Sequence, residues 1–193
     1  MNTSLHRVVV GVALLNLAYF GVEFAVALHI GSVSLFADSV DFLEDASINL
    51  LIAVALGWSA RRRAQLGMAL AGVLLVPALA TLWTAWSKFA LPLPPAAAAL
   101  TLTGGGALLV NLTCAFMLAR FRTHGGSLTR AAFLSARNDT FANIAIVAAG
   151  LVTARSHSLW PDLSVGLAIA ALNAGAAREV WQAARKEYRA ESI

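Results

Sequence analysis

Six long apolar stretches, separated by short polar joints, dominate the sequence. A helix needs about 20 mostly apolar residues to cross a hydrocarbon layer about 30 Å thick. With 59% hydrophobic and only 12% charged residues, the chain is too apolar for one soluble domain. We therefore expect an all-α fold, a bundle of six transmembrane helices. They are expected near residues 8–28, 33–57, 66–87, 95–119, 131–153 and 160–182.

The joints between these stretches are short, and the sequence contains no low-complexity tract. Residues 1–193 are therefore expected to form a single transmembrane domain. About ten residues follow the sixth stretch, so no C-terminal cytoplasmic domain is expected. The first stretch is longer than the core of a signal peptide and contains Glu23, which indicates an uncleaved first helix.

The basic residues are distributed unequally between the two sets of helix ends. Lys88 and Arg155 fall at one set, and Arg137 lies inside a helix. Positively charged joints stay in the cytoplasm, so both termini are predicted to be cytoplasmic. This pattern indicates a multi-pass protein, suits a bacterial inner membrane, and argues against a nucleic-acid partner. Eleven basic residues fall at the cytoplasmic ends: Arg7, Arg61, Arg62, Arg63, Arg120, Arg122, Arg130, Arg178, Arg185, Lys186 and Arg189.

Four acidic residues lie close together in the second apolar stretch: Asp38, Asp41, Glu44 and Asp45. At 100° per residue, all four fall within roughly a third of the helix circumference. An ionised carboxylate in the middle of a membrane costs on the order of 3 kcal/mol or more. This face therefore requires protons, a cation or a water-filled path, and it cannot face lipid.

The fifth stretch contributes Asp139 and Asn143, which share one helix face at i and i+4. A rise of about 1.5 Å per residue places Asp41 and Asp45 about 12 and 18 Å below the outer membrane surface, and Asp139 about 16 Å below it. Three carboxylates and an amide at one depth are typical of a hard-oxygen site for a divalent cation. Internal pairing is the alternative, with Asp139 next to Arg137 or with Glu44 near an arginine at a cytoplasmic end.

Other polar residues are expected to support the structure. Glu23 and Asn16 face the same way in the first helix, which predicts a supporting hydrogen bond. Asp162 follows Pro161 at the start of the sixth helix and is expected to cap it, with a role in an outer vestibule as the alternative. Cys114, the only cysteine, is expected in the core.

Three segments resemble the cation diffusion facilitator family: GSVSLFADSVDFLED, RNDTFAN and SLWPDLSVGLAIA. The resemblance covers about residues 10–185. It places Asp41 and Asp45 at the two ligand positions of the second helix and Asp139 at the second ligand position of the fifth. The first ligand position of the fifth helix, usually His or Asp, is Ser135 here. Lower-ranked contributors to the metal site are Ser135, Asn138, Asn143 and Asp38, the last of which lies one turn before Asp41.

The resemblance implies a metal/proton antiporter that exports a divalent cation from the cytoplasm and is not an enzyme. Its expected partners are the lipid bilayer, divalent cations and protons, with no prosthetic group. Asp at position 41 is closer to the manganese-type branch than to the zinc-type branch, and the metal stays open among Zn, Mn, Co, Fe and Cd. A homodimer also stays open, because the cytoplasmic domain that usually supports dimerisation is not expected.

Two other functions are considered. A membrane-embedded CDP-alcohol phosphatidyltransferase also uses clustered aspartates, but its motif needs a Gly just after the second Asp, and Phe42 and Leu43 follow Asp41 here. A non-transporting partner subunit is the other alternative, because Ser135 replaces a usual ligand.

Overall fold

The computed structural model describes residues 3–55, 65, 79–88, 92–121 and 126–190. The described residues form six helices and no strand, which confirms the predicted all-α bundle. Three helices extend beyond their predicted bounds, and most of the third predicted helix (66–87) lies outside the described residues. The helices are α1 Thr3–Ile30, α2 Val33–Ala55, α3 79–88, α4 Ala97–Ala119, α5 Gly126–Ser156 and α6 Trp160–Ala190.

Helix α2 occupies the centre of the bundle. The most extensive contacts join α1 to α2 and α4 to α5, and α2 also packs against α5 and α6. The turn between α1 and α2 is tight because Gly31 adopts a positive φ of 63°, a conformation that glycine adopts without steric cost. Ser32 then caps α2 by accepting a hydrogen bond from the Leu35 backbone N–H at 3.1 Å.

The described core contains two larger apolar clusters, one toward each end of the bundle, and a smaller third cluster of Val33, Ala85 and Leu163. The cluster at the Arg7 end joins α1, α4 and α5 and consists of Val8, Val9, Val12, Cys114, Leu118, Ala132 and Ala136. The cluster at the Gly31 end joins α1, α2, α4, α5 and α6 and consists of Ala27, Leu35, Phe36, Ala37, Leu100, Ile146 and Ile169. Cys114 is fully buried, as predicted for a core residue.

A layer of buried polar side chains lies between the two apolar clusters along α1, α2, α4 and α5. All of its members are at least 96% buried. The members of this polar layer are Asn16, Glu23, Asp38, Asp45, Asn111 and Asn143.

The outer surface of the bundle carries large apolar side chains. Leu102, Phe116 and Leu172 are 77%, 76% and 71% exposed. Such a surface is unfavourable in water and favourable against lipid tails. By length and composition, Ser4–Ile30 and Ala97–Ala119 are each able to cross a membrane.

Close packing between α4 and α5 explains part of the glycine run in the fourth predicted helix. A Cβ at Gly104 would lie 2.7 Å from the Ile146 side chain, so only glycine allows this approach. At Gly105 the same atom would meet nothing within 4 Å. Pro77, the predicted kink in the third helix, lies outside the described residues.

Candidate metal centre

A cavity of about 520 Å³ lies where α2, α5 and α6 meet. The first two helices contribute oxygen-bearing side chains, and α6 contributes mainly small and apolar ones. The lining residues are Asp41, Glu44, Asp45, Ser135, Asn138, Asp139, Ile169, Ala171, Leu172, Asn173 and Gly175. Asp41, Asp45 and Asp139 thus line one cavity in the structure.

Helical spacing explains the acidic wall of this cavity. Asp41, Glu44 and Asp45 are separated by three and four residues, so they lie one above the other on the α2 face that meets α5. The Ser135 hydroxyl on α5 donates a 2.9 Å hydrogen bond to Asp45 Oδ1 and ties the two walls together. This bond holds one carboxylate oxygen of Asp45 in a fixed direction.

The Asp139 and Asp45 side chains lie next to each other in the cavity lining. Asp38, Asp45 and Glu44 act electrostatically on Asp139, and Asp139 in turn acts on Asp41. Carboxylates this close together cannot all stay ionised unless a bound cation offsets their negative charge. Without a cation, some of them take up protons. The cavity therefore favours positively charged ligands.

The carboxylates do not form a closed ligand set in this conformation. Across the described ranges, no group of three or more Asp, Glu, His or Cys side chains is arranged to hold a metal ion. Internal pairing of Asp139 with Arg137 was the alternative to a metal site. In the structure the Arg137 guanidinium donates instead to the Asn138 side-chain oxygen, at 3.3 Å. Asn138 therefore lines the cavity while also contacting an exposed arginine.

Two of the lower-ranked candidates, Asp38 and Asn143, lie beside the cavity and not in its lining. Asn143 donates to Asp38 Oδ2 and accepts from Asn111 at 2.9 Å. These bonds join α2, α5 and α4 in the polar layer, and they engage both functional atoms of the Asn143 amide. The pair therefore braces the two helices that supply the carboxylates.

The comparison with family models agrees with this architecture. Residues 9–186 match the model described as the cation efflux transmembrane domain, which is most of the chain. The chain belongs to the cation efflux family. No curated protein is significantly similar to it. Cation efflux proteins are membrane transporters of divalent metal cations and not enzymes, so the cavity lies in a cation transporter of that kind.

In this cation efflux protein, α6 contributes more to the cavity than the sequence analysis expected. Asn173 lines it and extends its amide nitrogen toward the Ala37 carbonyl oxygen on α2, at 3.5 Å. The signal in the sequence was an isolated asparagine in the apolar run IAALNAG. Periodicity alone does not tell which face of α6 meets α2, so the residue was missed.

Asp162 of this cation efflux protein caps a different helix from the one expected. Its carboxylate accepts hydrogen bonds from the backbone N–H groups of Val33 and Ser34, at 2.9 and 3.1 Å. The hydroxyls of Ser32 and Ser34 also donate to it, both at 2.6 Å. The carboxylate at the start of α6 therefore satisfies backbone N–H groups in the first turn of α2 that have no partner within their own helix. It joins the two helices at the Gly31 end.

Lys88 lies near this junction, at the end of α3. Its ammonium group donates to the Leu93 carbonyl oxygen at 3.0 Å. The negative charge of Asp162 acts electrostatically on this ammonium group. The basic residue therefore adds positive charge beside the buried carboxylate.

Proposed function

We propose that this protein exports a divalent metal cation from the cytoplasm in exchange for protons, with Asp41, Asp45 and Asp139 as the metal ligands between α2 and α5. The observation that carries this proposal is the convergence of three carboxylates from two helices on one cavity between two apolar clusters. Oxygen ligands of this kind suit hard and borderline divalent cations.

Neutral oxygen donors would complete the coordination shell. Ser135 stands at the position where relatives of this kind were expected to carry His or Asp, and its hydrogen bond orients Asp45. Asn138 and Asn173 offer amide oxygens on two sides of the cavity. Asp38 and Asn143 are assigned a bracing role, because their side chains bond to one another.

Proton exchange follows from the cost of leaving the site empty. When the metal leaves, the carboxylates lose the charge that offset their repulsion, and protons are the cations that can replace it. A new metal ion then displaces those protons. Binding of the two cations is thus mutually exclusive, which is what an exchanger requires.

The proposed orientation places both termini in the cytoplasm and the Gly31 end on the outer side. Eleven of the fourteen basic residues lie at the ends that would face the cytoplasm. A bacterial inner membrane is the proposed location. A homodimer is compatible with the exposed apolar surface, which equally suits a monomer in lipid.

The alternatives make different predictions. A phosphatidyltransferase conflicts with membership in a family of transporters. A partner subunit that carries no metal itself is the stronger alternative, because the described residues do not form a closed ligand set. It predicts a protein that moves no metal on its own.

The test is transport by the purified full chain in liposomes with an imposed pH gradient. Entry of Zn, Mn, Co and Cd is followed for the wild type and for Asp41→Ala, Asp45→Ala and Asp139→Ala. We expect the wild type to move at least one of these metals and each substitution to reduce the rate at least tenfold.

Thr113→Ala is the matched control, because Thr113 is exposed on α4 and bonds to the Leu109 carbonyl of its own helix. It should transport like the wild type. If no metal moves under any gradient, the partner-subunit alternative is favoured. If the three aspartate variants transport normally, the assigned ligands are wrong.

A further inference from the structure

A second pair of carboxyl groups lies outside the metal cavity. Glu23 on α1 and Asp38 on α2 are both completely buried, and their carboxyl groups face each other. Within the described part of the chain, no N–H or O–H group of another residue donates to either oxygen of Glu23 or to Asp38 Oδ1. Glu23 is therefore without the supporting hydrogen bond predicted for it, and three carboxyl oxygens of this pair receive no donor.

Among the described residues, no positively charged group acts electrostatically on this pair. The titratable groups that act on it are Tyr19 from α1, Asp41 and Asp45 from α2, and Asp139 from α5. All of these groups are acidic or neutral. Two ionised carboxyl groups in contact, removed from water and near three further aspartates, would be strongly unfavourable.

A bound cation would remove this repulsion, and the available oxygen atoms decide which cation fits. A metal ion such as sodium or magnesium requires about six oxygen ligands. The nearby Tyr19 hydroxyl already donates a hydrogen bond to the Thr103 carbonyl oxygen at 2.6 Å. The Asn143 side-chain oxygen already accepts one from Asn111. Two facing carboxyl groups with few free neighbours suit a single shared proton, as in carboxyl dyads that hold one proton between them.

We propose that Glu23 and Asp38 together hold one proton, at a site separate from the metal cavity. The bond that breaks on release is the O–H bond of the shared carboxyl, the proton passes to water, and the pair changes from one negative charge to two. Asp41 links this site to the cavity, because it lies one turn beyond Asp38 on α2 and lines the cavity. A divalent ion at Asp41 would offset the added negative charge and so favour release.

The existence of the proton site does not depend on the proposed function, whereas its coupling to metal does. The first experiment therefore uses no metal. Infrared spectra of the full chain in lipid nanodiscs, in deuterated buffer near neutral pH, report the carbonyl stretch of protonated carboxyl groups. We expect Glu23→Gln combined with Asp38→Asn to remove the intensity of one protonated carboxyl.

Asp162→Asn is the matched control for this spectrum. Its carboxylate is also buried, but it accepts four hydrogen bonds from the start of α2 and contacts no second carboxyl group in the hydrogen bonds of the described residues. We expect this substitution to leave the protonated carboxyl intensity unchanged. If the double substitution also leaves the intensity unchanged, both carboxyl groups are ionised and the proposed proton site does not exist.

The second experiment tests coupling, with the single substitution Glu23→Gln in liposomes. We expect metal transport to continue but to lose at least half of its acceleration by an imposed pH gradient. If the acceleration equals that of the wild type, coupling through this pair is ruled out. If the wild type moves no metal, the proposed function fails, and the infrared result alone decides whether the proton site exists.

Discussion

At the scale of single residues, Ser135 distinguishes this cavity from a four-ligand site. Its hydroxyl lies within 2.9 Å of Asp45 Oδ1, so a longer side chain with a metal-binding atom at this position would point toward the proposed metal site. As it stands, the site offers oxygen ligands alone among the residues that line the cavity. Oxygen-rich sites favour manganese and similar ions over softer metals.

Ser135→His should therefore shift selectivity toward zinc, because imidazole nitrogen binds zinc more strongly than a hydroxyl does. We expect the ratio of zinc to manganese transport in liposomes to rise at least fivefold. Asn138→His, on the same helix and also in the cavity lining, is the comparison variant. An unchanged ratio in Ser135→His would show that position 135 does not contact the ion.

Asn173 provides a second test at this scale. Its amide lines the cavity from α6, and its removal should weaken metal binding without abolishing it, because the three carboxylates remain. We expect Asn173→Ala to raise the metal concentration for half-maximal transport by about threefold to tenfold, the effect of about 1 kcal/mol. If Asn173→Ala instead loses metal transport as completely as Asp45→Ala, α6 supplies an essential ligand.

At the scale of helices, the junction between α2 and α6 is the most specific contact in the bundle. Asp162 gathers four hydrogen bonds from the start of α2. One turn later, Gly166 allows the α6 backbone to lie against α2, since a Cβ there would be 2.7 Å from the Ser34 nitrogen. The two features together fix the distance between the helices at the Gly31 end.

Gly166→Ala should separate these helices and lower the thermal stability of the detergent-solubilised protein. We expect a loss of about 1–3 kcal/mol, since overpacking of a tight contact has that cost. Gly105→Ala is the matched control, because a Cβ at Gly105 would meet nothing within 4 Å. Equal melting temperatures for the two variants would show that the junction tolerates an extra methyl group.

Periodicity and depth explain which parts of the site could be predicted from the sequence. A rise of about 1.5 Å per residue was enough to predict one level for Asp41, Asp45 and Asp139, because α2 and α5 are each long enough to cross the bundle; all three line the cavity. The cap that Asp162 forms on α2 and the position of Asn173 could not be predicted. Both depend on how α6 is rotated against α2, and the apolar pattern of a lipid-facing helix fixes that rotation weakly.

At the scale of the whole molecule, the proposed orientation places the end of α5 outside the cell and the end of α4 inside it. Ser156 and Arg120 are both exposed, and they lie at opposite ends of the bundle. The native Cys114 is completely buried, so it should not react with polar reagents. Single cysteines at the two exposed positions can therefore report the orientation.

We expect a membrane-impermeant maleimide to label Ser156→Cys in intact cells and Arg120→Cys only after the membrane is opened. The wild type, with Cys114 alone, is the background control. The reverse pattern would place both termini outside and would make the proposed direction of transport wrong.

The two apolar clusters on either side of the polar layer also have an electrical consequence. A membrane potential falls mainly across material of low dielectric constant, so in this bundle it would drop across those clusters more than across the cavity between them. Moving one charge through 100 mV changes its free energy by about 2.3 kcal/mol. Exchange of a divalent ion for a single proton would carry net charge across these clusters, and the resting voltage would then help set how far the metal can be concentrated.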